Sequence, residues 1–264
     1  MTLAPLAGAV GMERRDTAAF GEPHACQRCG HPLETFTLAL PMGLGPRIFM
    51  GECPCQEAHR VAQARERAAA AHRERIRVLL RQSGIGRRHE GAAFDTFVTG
   101  AENASVLGVC RAFVESFPAG GRGLTLSGPA GTGKTHLAVA VTRALVERGF
   151  CAVIANVPML LLEFRGTFRG ERPDRFDQML DLLCRCEHLV LDDLGRERPT
   201  EWVQETLYLV VNARYEDCLA TSVTTNLSPG ELRARLGEPI LDRLTETNEA
   251  YWCQWPSHRR RPTS

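Results

Sequence analysis

The chain has 264 residues, of which 44% are hydrophobic and 24% are charged, a balance typical of a soluble globular protein. Its formal net charge is only +1, so binding to nucleic acid or to a membrane surface would require a local patch of charge. No apolar run approaches the roughly 18 residues of a membrane span, and the first residues lack the basic region of a signal peptide. We therefore expect a cytoplasmic protein with no membrane partner.

The first predicted unit, residues 1–56, is a tail followed by a small metal-binding module. Its four cysteines form two close pairs, separated by residues 30–52: Cys26 with Cys29, and Cys53 with Cys55. Four thiolates satisfy tetrahedral Zn²⁺, and the residues between the pairs would form the loop of a zinc ribbon. A segment of about 50 residues has too small a core to fold unaided, which favours a structural metal. The alternatives are four free or buried cysteines, or ligation that includes His24, His31 or His59.

Residues 57–82 are predicted to form one uninterrupted helix, because Ala, Arg and Glu dominate and neither Gly nor Pro occurs within it. A Ser-Gly-Ile-Gly sequence at 83–86 then breaks the helix, so residues 57–86 form a basic helix and linker. Residues 57–90 carry nine Arg and four Glu. This stripe suits contact with a phosphate backbone, and equally suits a solvated helix or a surface that docks a partner protein.

From residue 87 to 264, short apolar strands alternate with amphipathic helices, a pattern that predicts an α/β domain with a mostly parallel sheet flanked by helices. Five strands are predicted: Gly123–Ser127, Cys151–Asn156, His188–Asp192, Thr221–Thr225 and Ala250–Trp255. Two of the helices between them are predicted at Thr135–Arg148 and Thr200–Glu216, and Thr200 is the expected N-cap of the second.

A phosphate-binding loop lies between the first of these strands and the helix that follows it. The sequence at 128–135 is G-P-A-G-T-G-K-T, a complete G-x-x-x-x-G-K-[ST] motif, and Lys134 is the only lysine of the chain. The backbone N–H groups of such a loop cradle phosphates, the lysine neutralises their charge, and the Thr135 hydroxyl ligates Mg²⁺. The predicted nucleotide-binding residues are Gly128, Pro129, Ala130, Gly131, Thr132, Gly133, Lys134, Thr135 and His136.

Two further strand ends carry polar residues that suit nucleotide hydrolysis. The third strand ends in Asp192 and is followed by Asp193. The first acid is predicted to hold Mg²⁺, and the second to polarise the attacking water. Asn226, which follows the fourth strand, would orient that water or sense the γ-phosphate; a turn-forming asparagine is the alternative.

These residues, in this order, resemble the AAA+ ATPases, and more narrowly the DnaC/DnaI-type helicase loaders and the related IstB-type transposition ATPases. The resemblance covers roughly residues 83–262. Beyond the phosphate loop it is carried by Ser83-Gly84-Ile85 with Phe94 and Phe97, Leu191-Asp192-Asp193-Leu194-Gly195, Thr200-Glu201-Trp202, Asn212-Ala213-Arg214-Tyr215, Thr224-Thr225-Asn226-Leu227 and Leu241-Asp242-Arg243-Leu244. It implies that ATP is the nucleotide and that residues 87–264 form a five-stranded AAA+ ATPase core with a reduced lid.

The resemblance also implies roles that spacing alone does not supply. Arg243 matches the arginine finger that reaches the γ-phosphate bound by a neighbouring subunit, so self-association through the ATP site is expected; without the resemblance it would be a helix-surface arginine. Arg259 matches the second sensor arginine, although His258 stands where the family has Tyr and the arginine run at 259–261 also suits a basic tail. Asp193 stands where many AAA+ enzymes have Glu, and this shorter acid predicts slow ATP hydrolysis.

The expected function is ATP-dependent loading of a hexameric, DnaB-type replicative helicase onto single-stranded DNA during replication initiation or restart. DnaI-type loaders are similar in having a zinc module ahead of the ATPase that contacts the helicase. The nearest alternative is an IstB-type transposition helper ATPase, which generally lacks such a module; a small-molecule kinase and a barely hydrolysing, nucleotide-regulated adaptor are more distant. The family places a single-strand-binding helix near residues 162–169, where Phe164 and Phe168 would either stack on bases or belong to the core.

Overall fold

The computed structural model of the protein describes residues 25–33, 35–38, 47–51, 53–118, 120–166 and 173–258. These residues form two compact units that divide between His72 and Arg73, inside one long helix. The domain boundaries expected from composition, at 56/57 and 86/87, remain predictions. Among the described helices, none combines the length and the apolar character that a membrane span needs.

The first unit holds the cysteine segment and the start of the long helix. Strands β1 (Thr35–Leu38) and β2 (Arg47–Met50) pair antiparallel. Both lie within residues 30–52, where the sequence predicts only a ribbon loop, because four-residue strands are too short to show a clear period. Helix α1 (Pro54–Gln82) begins with a proline, whose missing N–H costs no hydrogen bond at that position.

The second unit is built on a five-stranded sheet flanked by helices, which confirms the predicted fold class. The strands are β3 (Gly123–Ser127), β4 (Ala152–Asn156), β5 (His188–Asp192), β6 (Ala220–Thr225) and β7 (Asn248–Trp252). They lie in the order β4-β5-β6-β3-β7, and every neighbouring pair is parallel. The adjacent strands β5 and β6 are buried along their whole length, as expected of parallel strands that are covered on both faces.

The helices of this unit that follow α1 are α2 (Ala104–Ser116), α3 (Lys134–Glu147), α4 (Val157–Gly166), α5 (Pro173–Arg185), α6 (Glu201–Glu216), α7 (Pro229–Leu236) and α8 (Glu238–Thr247). Thr200 caps α6 as predicted, since its side chain accepts a hydrogen bond from the Val203 N–H at 3.3 Å. Phe164 on α4 is fully buried and packs edge-on against Phe176, with 4.8 Å between ring centroids. Of its two alternatives, the core position is therefore the observed one, whereas Phe168 lies outside the described residues.

The last strand differs from its prediction. The sequence predicts a strand at Ala250–Trp255, whereas β7 spans Asn248–Trp252. Trp255 lies three residues after the end of β7, and its indole Nε1 donates a hydrogen bond to the Thr132 carbonyl at 2.7 Å. The aromatic residue that extends the apolar pattern of the strand thus packs against the phosphate loop.

Candidate nucleotide site

The phosphate loop at residues 128–135 connects β3 to the N-terminus of α3. Gly133 caps this helix with a φ of 91°, a left-handed conformation that favours glycine. A Cβ at this position would approach Cε2 of Phe97 to 2.7 Å, so any larger residue would also clash. The backbone N–H groups of the loop and the end of the helix together form a concavity suited to an anion.

Lys134 places one positive charge inside this loop. Its side chain is buried, and Nζ donates hydrogen bonds to the carbonyls of Gly128 and Pro129, both at 2.7 Å. The Thr132 hydroxyl lies 3.5 Å from Nζ. The ammonium group therefore adds to the helix dipole, which already favours an anion at the N-terminus of α3.

Asp192 joins several strand ends through its carboxylate. Oδ1 accepts hydrogen bonds from the hydroxyls of Thr135 at 2.8 Å and of Thr224 at 2.7 Å, and Oδ2 accepts one from Asn156 Nδ2 at 3.5 Å. The two predicted Mg²⁺ ligands, Thr135 and Asp192, are thus in direct contact. Sequence reasoning misses Asn156 and Thr224 as site residues, although both lie near the carboxyl ends of parallel strands, where ligands of such sheets bind.

Asp193 turns out of the strand with a φ of 57°. Its backbone N–H donates to the Thr224 hydroxyl at 3.0 Å, and its carboxylate pairs with Arg196 at 3.4 Å. Because Thr224 donates to Asp192 and accepts from Asp193, one hydroxyl fixes both acids relative to β6. This contact sets the direction in which the second acid leaves the sheet.

One cleft, of about 240 Å³, brings most of the predicted nucleotide residues together. Lys134, Thr135 and His136 line it from α3, and Asp193 and Asn226 line it from the ends of the neighbouring strands. Several residues that the sequence does not predict also line this cleft, namely Arg88, His89, Arg196 and His258. These four residues lie outside the phosphate-loop motif in sequence, so no local sequence pattern marks them as part of the cleft. Only the fold shows that they line it.

His136 also attaches α3 to the segment that precedes the sheet. Its Nε2 lies 2.9 Å from the Ala93 carbonyl, and its ring packs edge-on against Phe97 at 5.5 Å between centroids. Arg143, two turns further along α3, donates to the Ala92 carbonyl at 3.0 Å. These contacts fix the segment that carries His89 beside the cleft.

The segment after β7 crosses the phosphate loop. The Trp255 indole is bonded to the Thr132 carbonyl, and the His258 N–H donates to the Gly131 carbonyl at 3.0 Å. His258 is the last described residue, so Arg259, the predicted second sensor, lies outside the described residues. His258, the residue directly before Arg259, therefore lines the cleft.

Arg243 does not line the cleft of its own chain. It lies on α8 and lines a separate cavity of about 350 Å³, together with residues from the end of α6 and the start of β6. Within a single chain the structure thus brings together the phosphate loop, both acids and Asn226, but not Arg243.

The four predicted zinc ligands come together in the first unit. Sγ of Cys26 lies 3.5 Å from that of Cys55, Sγ of Cys29 lies 3.4 Å from that of Cys53, and all four lie within 4.8 Å of one another. Tetrahedral Zn²⁺ with Zn–S bonds of about 2.3 Å requires S–S separations of about 3.8 Å, so the cluster fits this ion. Hydrogen bonds from the backbone of Arg28 and Cys29 lower the pKa of Cys26 to about 6, whereas hydrogen bonds with Cys29 and Cys53 raise the pKa of Cys55. Without a cation the cluster therefore favours a thiolate at Cys26 and a thiol at Cys55, and a bound metal would have to displace the thiol proton.

The short Cys-x-Cys spacing follows from the start of α1. Cys53 precedes the helix, and its carbonyl accepts a hydrogen bond from the Gln56 N–H at 2.8 Å, while Cys55 lies in the first turn. Among the described residues, no histidine joins the cluster, and His24 lies outside them.

Comparison with known proteins identifies the family. A sequence model of the family described as "IstB-like ATP binding protein" matches residues 59–264. The chain belongs to this IstB-like family. The match begins after the four cysteines, so the zinc cluster lies outside the part shared with the family model.

Relatives of this IstB-like chain include helicase loaders. The replicative helicase loader DnaC of Escherichia coli (strain K12) is 29% identical over 203 residues, which cover 75% of this chain and 82% of DnaC. A crystal structure of the DnaC helicase loader is 30% identical, with a TM-score of 0.58 over 64% of this chain and 99% of that one. AMPPCP-bound DnaA from Aquifex aeolicus, at 16% identity and a TM-score of 0.57 over 64% of this chain and 52% of that one, shows the fold alone.

These relationships confirm the AAA+ fold and the resemblance to the DnaC/IstB-like proteins. Membership in an ATP-binding family also makes ATP the nucleotide of this IstB-like chain. The roles of individual side chains in the cleft, and the binding of Mg²⁺ and Zn²⁺, remain predictions.

Proposed function

We propose that this chain loads a hexameric, DnaB-type replicative helicase onto single-stranded DNA, with ATP binding and hydrolysis as the switch. The observation that carries the proposal is the 29% identity to the E. coli replicative helicase loader DnaC, because it extends over 82% of that protein. A fold alone hosts many functions, whereas an identity spread over most of a relative supports a shared activity. Such a role implies action in the cytoplasm, during initiation or restart of replication.

In the proposed ATP site, the loop N–H groups and the Lys134 ammonium hold the phosphates. Thr135 and Asp192, whose side-chain oxygens lie 2.8 Å apart, are the proposed ligands of Mg²⁺. Mg²⁺ bound there would neutralise charge on the β- and γ-phosphates. Asp193 polarises the attacking water, and Asn226 orients it; both face the same cleft.

In this proposal, Arg243 of a neighbouring subunit completes hydrolysis. Its absence from the cleft of its own chain supports a site that is shared between subunits. The guanidinium would stabilise the charge that develops on the γ-phosphate, and Arg259 would act as the second sensor. ATP would then favour an assembled state that grips single-stranded DNA, and hydrolysis would release the helicase.

The zinc module and the start of α1 are the proposed helicase-docking region. A metal ion held by Cys26 and Cys29, and by Cys53 and Cys55 at the beginning of the 29-residue helix, would fix the direction in which that helix leaves the module. Every side chain from Glu57 to His72 is exposed, so this part of the helix is accessible to a partner. The arginines of residues 57–90 are equally suited to a DNA backbone.

Capture of a purified DnaB-type helicase by the full-length chain, with and without ATP, tests this function. The variants are Cys26→Ser and, as a matched control, Cys218→Ser, since Cys218 is exposed and lies outside the cluster. We expect the wild type and Cys218→Ser to capture the helicase and Cys26→Ser to fail, while all three bind ATP equally. Equal capture by Cys26→Ser would refute docking through the zinc module, and no capture by the wild type would refute the proposed function.

A transposition helper ATPase is the second function to test, because the matching family model is the IstB-like one. Such a protein would use the same ATP site to remodel a complex of transposase and DNA. The cysteine cluster, which lies outside the matched residues, favours the helicase loader. Capture of a purified transposase in preference to a helicase would decide for this alternative.

A further inference from the structure

Arg243 is held by neutral groups around its guanidinium. Nε donates to Asn212 Oδ1 at 2.8 Å, Nη1 to the Pro239 carbonyl at 3.0 Å, and Nη2 to the Tyr208 hydroxyl at 3.3 Å. The guanidinium carbon lies 5.1 Å and 5.4 Å from the ring centroids of Tyr208 and Tyr215. A long side chain that would otherwise sample many rotamers is therefore fixed in one position.

Three of these holding residues form one face of α6. Tyr208, Asn212 and Tyr215 are spaced at i, i+4 and i+7, so their side chains lie along the same side of the helix. We call these three residues the α6 clamp. The same helix follows the strand end that carries Asp192 and Asp193, so α6 connects the two acids of one ATP site to the arginine proposed to serve another.

The α6 clamp leaves the positive charge of Arg243 available to an anion. Among the ion pairs formed by the described residues, none involves Arg243. A carboxylate partner would compete with a phosphate for the guanidinium, whereas neutral oxygens and aromatic faces hold it without cancelling its charge. The carboxylate of Glu246, which lines the same cavity, accepts a hydrogen bond from the Tyr215 hydroxyl at 2.9 Å. These contacts suit an arginine that binds a phosphate on another molecule.

We propose that Tyr208, Asn212 and Tyr215 are positioning residues that fix Arg243 for entry into the ATP site of a second copy of this chain. The inference rests on the proposed function, because it requires Arg243 to act between subunits. A subunit with a broken clamp keeps its arginine but no longer holds it in the productive position. That subunit binds ATP normally and fails to complete the site of its neighbour.

Subunit mixing tests the clamp with full-length chains and single-stranded DNA. A Lys134→Ala chain cannot hold the phosphates but donates Arg243, and an Arg243→Ala chain binds ATP but donates no arginine. Either chain alone should be inactive, and the mixture should regain ATP hydrolysis. Asn212→Ala or Tyr208→Leu, added to the arginine donor, should lower the regained rate by about tenfold or more, and added to the ATP-binding chain should leave it unchanged.

Two further variants separate positioning from folding. Tyr208→Phe keeps the ring but removes the hydroxyl, so it should retain more of the regained rate than Tyr208→Leu. Gln204→Ala is the matched control, since Gln204 lies on the same helix and its side chain donates to the Arg235 carbonyl at 2.9 Å, away from Arg243. Gln204→Ala should leave the rate unchanged in either chain.

The outcomes distinguish the clamp from the shared site on which it depends. A loss confined to the arginine donor supports the α6 clamp. Equal losses in both chains, or no loss in either, would overturn the clamp while leaving the shared site intact. If the mixture without clamp substitutions regains no activity, Arg243 does not act between subunits, and the proposed shared site and the clamp inference are both overturned.

Discussion

Lys134 is the only lysine among many arginines, and its surroundings explain why an arginine would not replace it. Nζ is buried and lies 2.7 Å from each of two loop carbonyls, so we expect the larger, planar guanidinium of an arginine to fit poorly there. We expect Lys134→Arg to weaken ATP binding almost as much as Lys134→Ala, by about tenfold or more, in a titration with a fluorescent ATP analogue. Arg185→Lys, at a side chain that is 78% exposed, is the control. Normal affinity in Lys134→Arg would contradict this account.

In the proposed mechanism, Asp193 decides whether the site hydrolyses ATP or only binds it. Asp193→Asn removes the charge that polarises water and keeps the shape, so we expect kcat to fall by about tenfold or more with ATP affinity retained. Phosphate release measures kcat, and the wild type should turn over more slowly than about 10 per second, because aspartate is a methylene shorter than glutamate. If Asp193→Ala keeps helicase loading while Lys134→Ala abolishes it, the chain is instead an adaptor regulated by nucleotide binding.

His188 makes the stability of the second unit depend on pH. It is fully buried on β5 with Nε2 2.8 Å from the Ser222 hydroxyl, and burial lowers its pKa to about 3. An unfolded histidine has a pKa of about 6.5, so between these values the unfolded chain binds a proton that the native chain does not. The free energy of unfolding is therefore unaffected by protonation of His188 above about pH 6.5. As the pH falls from 6.5 towards 3, protonation of His188 in the unfolded chain lowers this free energy by up to about 1.4 kcal/mol per pH unit.

This contribution of His188 is measured by thermal unfolding of the wild type and His188→Gln at pH 7 and pH 5. Glutamine keeps a polar group near Ser222 but does not titrate, so its Tm should fall less between the two pH values than that of the wild type. Groups that titrate elsewhere act equally on both proteins. Equal falls in Tm would show that His188 does not set the pH dependence.

At the scale of elements, the segment that follows β7 supports the phosphate loop through hydrogen bonds to its backbone carbonyls. Trp255 is buried, and its indole donates to the Thr132 carbonyl at 2.7 Å. Trp255→Phe keeps a ring there but removes one hydrogen bond of about 1 kcal/mol, so the Kd for ATP should rise about fivefold. Trp252→Phe, at a residue of β7 that is 47% exposed, is the control for loss of an indole. Equal affinities in the two variants would rule out this support.

The residues of helix α1 that pack against a hydrophobic core are Ile76, Leu79 and Leu80, near its C-terminal end, whereas every side chain from Glu57 to His72 is exposed. We therefore expect the start of the helix to depend on zinc bound at the cysteine cluster. Nucleation of an isolated helix is costly, and ligation of Cys53 and Cys55 would fix the first turn. Removal of zinc with a chelator should lower the helical circular dichroism signal at 222 nm, and added Zn²⁺ should restore it. Cys26→Ser should start low and not respond, whereas Cys218→Ser should behave as the wild type. A circular dichroism signal at 222 nm that does not change when the chelator is added would contradict this role of the metal.

The elements predicted best from sequence are those whose signals are local. Strands β3 and β5 coincide with their predictions, because short apolar runs there end in a glycine loop or in acids. The residues of the phosphate loop are contiguous in sequence, and so are the two acids, so each set is recognised by its own motif. The contact between the two sets, from Thr135 to Asp192, comes from the fold. Asn156 and Trp255 could not be predicted as site residues, because their contacts with Asp192 and Thr132 depend on strand order and on where β7 ends.

The contacts between Arg243 and the α6 clamp also depend on the fold rather than on a local motif. The sequence indicates that Asn212 and Tyr215 belong to a family motif, but it does not show that these residues and Tyr208 contact a common partner. The structure shows this, because α6 and α8 pack together and the guanidinium lies between them. The two helices lie about 30 residues apart in sequence, and the sheet positions both of them. Their contacts therefore cannot be predicted from a local sequence pattern.

At the scale of the whole molecule, the proposed docking region and the ATP site lie in different units, so substitutions should separate them. Lys134→Ala leaves the cysteine cluster intact, and it should therefore capture the helicase and fail to load it. An equimolar amount of Lys134→Ala added to the wild type should occupy helicase and lower loading onto circular single-stranded DNA. The double variant Lys134→Ala with Cys26→Ser should not compete, because it lacks the metal cluster through which docking is proposed.

Strand displacement by the loaded helicase measures this competition, and Cys218→Ser in place of Cys26→Ser keeps the cluster as a control. Inhibition by Lys134→Ala that disappears with Cys26→Ser, and persists with Cys218→Ser, would show that docking uses the cysteine cluster and does not require ATP binding. If both double variants inhibit equally, the helicase is held by the ATPase unit itself. If Lys134→Ala alone does not inhibit, nucleotide binding is needed before the helicase docks, and the two activities are not separable.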